Sequence, residues 1–137
     1  MSAVAPFLVA IPTRTTSVGG DTYARASSVD ATTVVEINLG IPYAKVGLAR
    51  IKIKRVSGAA ANFTPRIFSK AATTTAGDIS EEYAGAATAV ADLFDPSVSP
   101  LPVVMQADVN GKLYLVFAPD AGADNVFDYA LRFYAYR

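Results

Sequence analysis

The chain has 137 residues with twelve basic and twelve acidic side chains, no net formal charge, and 52% hydrophobic residues. That length suits one domain with a single core, and the composition is too apolar for a disordered chain and too poor in periodic glycine for a fibrous one. Zero His and zero Cys exclude Ser-His-Asp triads, thiolate nucleophiles, His or Cys zinc sites and disulfides.

Residues 1–30 hold no period of 2 or 3.6 for more than a few positions and are punctuated by Pro6, Pro12, the run Thr13 to Thr16 and Gly19-Gly20. This predicts an extended N-terminal arm over 1–30 and a body over 31–137. Phe7, Leu8, Val9, Ile11 and Tyr23 would be left in water by a free tail, so they become the arm's candidate contacts with a partner surface. The plainer alternative is a first strand with a frayed terminus. The opening segment lacks a positive n-region, and no stretch approaches the about 20 apolar residues of a membrane helix. A soluble, non-exported protein without membrane contact is expected.

Beyond Asp30 come short β-branched and aromatic runs bounded by Gly, Pro, Asn and Asp. Thr33 to Leu39 reads as a strand. Val46 to Val56 is clearer, because Arg50, Lys52 and Lys54 alternate with Ala49, Ile51 and Ile53 and so put cations on one face and aliphatics on the other. Phe63 to Lys70 follows, with Pro65 pointing to an edge strand or to its first residues. Ala71 to Gly85 reads as a long connection and Ala86 to Phe94 as a strand. Val103 to Ala107 and Lys112 to Ala118 flank Asp108-Val109-Asn110-Gly111, where Asn-Gly predicts a hairpin. Asn125 to Arg137 is the last and longest strand. Seven or eight strands without an amphipathic helix predict an all-β antiparallel sandwich, jelly-roll-like in kind.

Asp120, Asp124 and Asp128 with Asn125 are the candidate chemistry, since paired carboxylates can share acid and base roles or hold calcium. Their spacing matches no calcium loop, and Asp and Asn cap turns by bonding nearby backbone, so the turn reading is preferred. Asp108 and Asn110 fall under the same argument. No Gly-rich loop opens a helix that could cradle phosphate. The expectation is a non-enzyme with no cofactor, no metal and no small-molecule substrate.

Zero net charge hides a segregation. Residues 45–70 carry seven cations and no acid, while residues 71–137 carry nine acids and three cations. Such a pattern either pairs strands internally or orients partners of opposite sign, with Arg50, Lys52 and Lys54 as the docking set. A nucleic-acid binder would be basic overall and would interleave aromatics with its cations, so nucleic acid is not expected. The last two long strands are apolar on both faces. Leu113, Leu115 and Phe117 claim the core, so Tyr114 and Val116, together with Tyr134 and Tyr136, become a candidate oligomer interface. The competing reading lets the arm or the 71–85 loop cover them.

The segments Ala49-Arg50-Ile51-Lys52-Ile53-Lys54-Arg55-Val56-Ser57-Gly58 and Gly111-Lys112-Leu113-Tyr114-Leu115-Val116-Phe117-Ala118-Pro119-Asp120, with the closing Tyr129 to Arg137, sit behind an apolar arm. In that general arrangement the chain resembles the cement or decoration proteins of tailed-phage capsids. The resemblance implies a structural virion protein, made in the host cytoplasm and carried on the capsid surface. It also implies a homo-oligomer, with a trimer favoured, that binds the major capsid protein and ties neighbouring subunits together. The alternative is a glycan- or receptor-binding module of a phage fibre or spike, with Tyr43, Tyr83 or Tyr114 stacking on a pyranose face.

Overall fold

The computed structural model describes residues 12–18, 23–71, 73–96 and 103–136. Through them run β1 (Pro12–Val18), β2 (Ala24–Val29), β3 (Val34–Asn38), β4 (Lys45–Ser57), β5 (Asn62–Phe63), β6 (Arg66–Phe68), β7 (Glu81–Ala84), β8 (Thr88–Ala89), β9 (Val103–Gln106), β10 (Lys112–Val116) and β11 (Asn125–Tyr136). The first sheet has the order β1-β11-β4-β9, with β2 also paired to β11, and the second has the order β3-β10-β6-β7. A two-stranded ribbon joins β5 to β8, and every pairing is antiparallel. The protein is an all-β antiparallel sandwich.

β11 organises the first sheet, pairing with β4 along one side and with β2 and then β1 along the other. Its alternation sends Phe127, Tyr129, Leu131 and Phe133 inward and Asp128 and Arg132 outward. On β4 a bulge at Ala49 resets the count, because Phe133 stands opposite Leu48 while Arg132 stands opposite Arg50. Leu48, Ile51 and Ile53 therefore all face the core, although the first two are three residues apart. The core is an aromatic stack: Phe117 lies parallel to Phe127 at 4.7 Å, and Phe63 meets Phe127 edge-on at 5.1 Å. Each such ring contributes about 1.5–3 kcal/mol by leaving water.

Several expectations shift. Two strands, β1 and β2, come from the stretch read as arm, and their pairing with β11 supplies backbone partners that a free tail would take from water. A bulge with Ser28 in the left-handed region (φ 54°) kinks β2 as it leaves β11. The run Phe63 to Lys70 splits into β5 and β6 around Pro65, which cannot donate to a ladder. The connection at 71–85 contains β7, and only Thr88–Ala89 of the predicted strand Ala86 to Phe94 forms one. The Asn110-Gly111 turn does form, with the Gly111 N–H donating to the Asp108 carbonyl at 3.0 Å. It does not close a hairpin, because β9 pairs with β4 in one sheet while β10 pairs with β3 and β6 in the other. Met105 and Leu113 thus enter the core from opposite layers, and burying both outweighs local pairing.

Candidate functional site

The carboxylates of the 120–128 region serve separate partners. Asp120 accepts the Ala61 N–H at 2.8 Å and the Asn62 side-chain amide at 3.2 Å, and these bonds hold its pKa below the usual carboxylate range. Asp128 receives both arms of Arg25, at 2.8 and 3.1 Å, and is likewise lowered by that bond. Asp124 is exposed. Among the described residues no group of three or more His, Cys, Asp or Glu is placed to hold a metal ion.

Asn125 is a structural hub. Fully buried, it accepts the Ala60 N–H at 3.1 Å and donates to the carbonyls of Val29 at 3.0 Å and Ala121 at 2.9 Å, joining the end of β2 to two loops. Gly58 presses against it with φ +127°, and a Cβ there would lie 2.1 Å from Asn125 Oδ1.

Of the candidate oligomer interface, Tyr114 and Val116 are already covered by this chain. Tyr114 is 6% exposed and Val116 is 0% exposed within the single chain, where they cluster with Phe68, Val34 and Ala118. Their apolar surface is already out of water and has nothing to offer another subunit. The Tyr114 hydroxyl donates to Asp108 Oδ2 at 2.6 Å, and that bond, with burial, pushes its pKa up to about 12. Tyr134 is half-buried, and the side chain of Tyr136 falls outside the described residues, as do Phe7, Leu8, Val9 and Ile11. Tyr23 is half-buried beside the first sheet, where Lys52 Nζ stands 5.9 Å from its ring centroid.

The docking set is brought together. Arg50, Lys52 and Lys54 occupy the outer face of β4, spanning roughly 13 Å at the rise of a strand. Arg132 lies opposite Arg50 and Asp128 opposite Lys54. Arg50 pairs with Asp95 at 3.0 Å, and Arg25 extends the face through Asp128. Among the described residues, five cations and two carboxylates leave a surplus of three positive charges on this sheet face. The second sheet's outer face instead pairs its cations off, Arg66 with Glu81 and Lys112 with Glu36. Sequence exposed the alternation on β4 but not Arg25 or Arg132, which the pairing of β2 and β4 with β11 delivers to the same face.

Comparison with known proteins adds no identity: no protein-family model matches the chain, and no curated protein is significantly similar to it.

Proposed function

We propose that this protein is a non-enzymatic structural component of a virion. In this reading it binds the assembled capsid of a tailed phage and bridges neighbouring copies of the major capsid protein. The observation that carries the reading is the basic face of the first sheet, where Arg25, Arg50, Lys52, Lys54 and Arg132 outnumber Asp95 and Asp128. These side chains sit on paired strands, so docking on an acidic lattice orders little backbone. Charge of this kind fixes orientation and speeds encounter more than it adds affinity. Affinity for a lattice comes from repetition, and the trimer favoured by the resemblance would multiply weak contacts at a high effective concentration. A ligand that binds only the assembled shell stabilises it by mass action.

The test is co-sedimentation of the purified protein with tailed-phage shells stripped of their accessory proteins. Binding is expected to fall at least about tenfold between about 50 mM and about 500 mM salt, where charge is screened. The Lys52→Glu/Lys54→Glu variant is expected to bind poorly at every salt concentration while unfolding like the parent. Occupancy unchanged by salt and by the double substitution overturns the docking face.

A further inference from the structure

One end of the sandwich is closed by two loops, residues 39–44 and 107–111, that are stapled together through backbone. The Tyr43 N–H donates to the Asp108 carbonyl, Leu39 N–H to Gly111 and Ala107 N–H to Ala44, each at 2.8 Å. Gly111 sits so close that a Cβ would lie 2.7 Å from the Ile41 backbone. On this rigid platform Tyr43 is held in the left-handed region at φ 55°, a conformation an aromatic residue rarely adopts, and its side chain is 58% exposed. Val109 stands beside it at 56% exposure. The strain is retained while the ring is kept out of the core.

Next to the ring lies an open cleft of about 380 Å³ lined by Tyr43, Ser69, Glu82, Gln106, Asp108 and Val109. Part of its polar inventory is used internally: Glu82 Oε1 accepts the Gln106 backbone N–H at 2.8 Å, and Asp108 Oδ1 accepts the N–H groups of Asn110 and Lys112. Glu82 Oε2, Gln106 Oε1 and the Tyr43 hydroxyl take no protein hydrogen bond among the described residues, and Asp108 Oδ2 keeps a lone pair beyond the one Tyr114 uses. The cleft therefore offers an aromatic face, an aliphatic flank and several free acceptors, with the Tyr43 hydroxyl and the Gln106 amide as its donors.

We propose that this cleft binds a neutral saccharide, one face of a pyranose ring lying on Tyr43 and Val109 while its hydroxyls donate to Glu82, Gln106 and Asp108. A ring with an apolar C–H face and a rim of hydroxyl donors complements that inventory. A cationic side chain is the poorer fit. Asp108 is already met by two N–H groups, a phenol and the nearby Lys112, and an ion pair in an open cleft gains little against water. Of the three tyrosines that sequence offers for stacking, Tyr83 packs on the core and Tyr114 is buried, which leaves Tyr43. This site does not depend on the capsid reading.

The experiment is an amide chemical-shift titration of the full chain with methyl glycosides of glucose, galactose and mannose and with N-acetylglucosamine. Nα-acetylarginine methyl ester serves as the cationic probe. At least one sugar is expected to shift the amides of Tyr43, Gln106 and Val109, with half-saturation on the order of 1–10 mM for a single ring in an open site. Tyr43→Ala should weaken that binding at least about tenfold, and Tyr43→Phe, which keeps the stacking face, by less than about threefold. Unshifted amides around Asn125 in both variants verify the fold. Cleft shifts with the arginine ester alone, silence with every sugar, or sugar shifts that survive Tyr43→Ala overturn the proposal.

Discussion

Asn125 and Tyr114 show how single polar groups hold this fold. Asn125→Ala removes an acceptor from the Ala60 N–H and a donor from two carbonyls in a site closed to water, and is expected to cost about 3–5 kcal/mol in denaturant unfolding. Gly58→Ala should damage the same joint, since its Cβ would collide with Asn125 from a backbone conformation that favours glycine. Tyr114 makes stability depend on alkaline pH. Its pKa is raised from about 10 in the unfolded chain to about 12 in the fold, so its contribution is complete below pH 10 and is lost as pH climbs through the folded value. Midpoints measured across that window should fall less steeply for Tyr114→Phe, which should itself cost roughly 1–2 kcal/mol at neutral pH. Asp108 works in the opposite direction. Held below the carboxylate range first by the Tyr114 hydroxyl, it stabilises the fold above its unfolded value and ceases to do so as pH drops through the folded one. Sequence marked Asp108, Asp120 and Asn125 as turn residues from their type alone. It did not reveal which strand or loop each would reach, because those partners lie up to 96 residues away.

At the level of elements, β4 is both the most legible strand and the most exacting. Its alternation of cations and aliphatics shows directly in the sequence, but the bulge at Ala49 does not, since nothing local distinguishes that alanine from its neighbours. Deleting Ala49 would leave Leu48 and Ile51 two residues apart, the ordinary spacing of one strand face, so the bulge would straighten while both side chains stay on the core side. The expected result is a denaturant transition that stays cooperative, with the midpoint shifted and the slope unchanged. β7 was hidden for a related reason: Glu81-Glu82-Tyr83-Ala84 has the composition of a loop, and its place beside β6 comes from Tyr83 reaching the core and Glu81 pairing with Arg66. The Asn-Gly pair makes a turn without a hairpin, because sheet membership is set by which layer buries Met105 and Leu113. The cations on the outer face of β4 show as a period of two, whereas the cleft at the end of the sandwich gathers positions 43, 69, 82, 106, 108 and 109, which share no spacing.

For the whole molecule, the all-β character and a core of Phe and Ile are readable from composition and periodicity, while the pairing of β1 and β2 with β11 is not. The segment Pro12–Val18 carries no apolar stripe in its sequence, and a strand without one is indistinguishable from a linker until its neighbour is known. Removing residues 1–28 would strip β1 and nearly all of β2 from β11 and bare that strand's rim along most of its length. Aggregation of the truncated protein during size-exclusion chromatography is the expected outcome, in keeping with the pairing hazard of an open strand edge.

The antiparallel match of β1 to β11 sets Pro12 beside Tyr136, so the two strands meet at one corner with their ladder running away from it. Tension applied at these two points would peel the hydrogen bonds apart one after another, like a zip, instead of straining them all at once. In the capsid role proposed above, a shell swelling under its packed genome would be restrained poorly by a tether hung from that corner. It would be restrained far better by adhesion spread over the broad cationic face, whose many contacts share the sideways force.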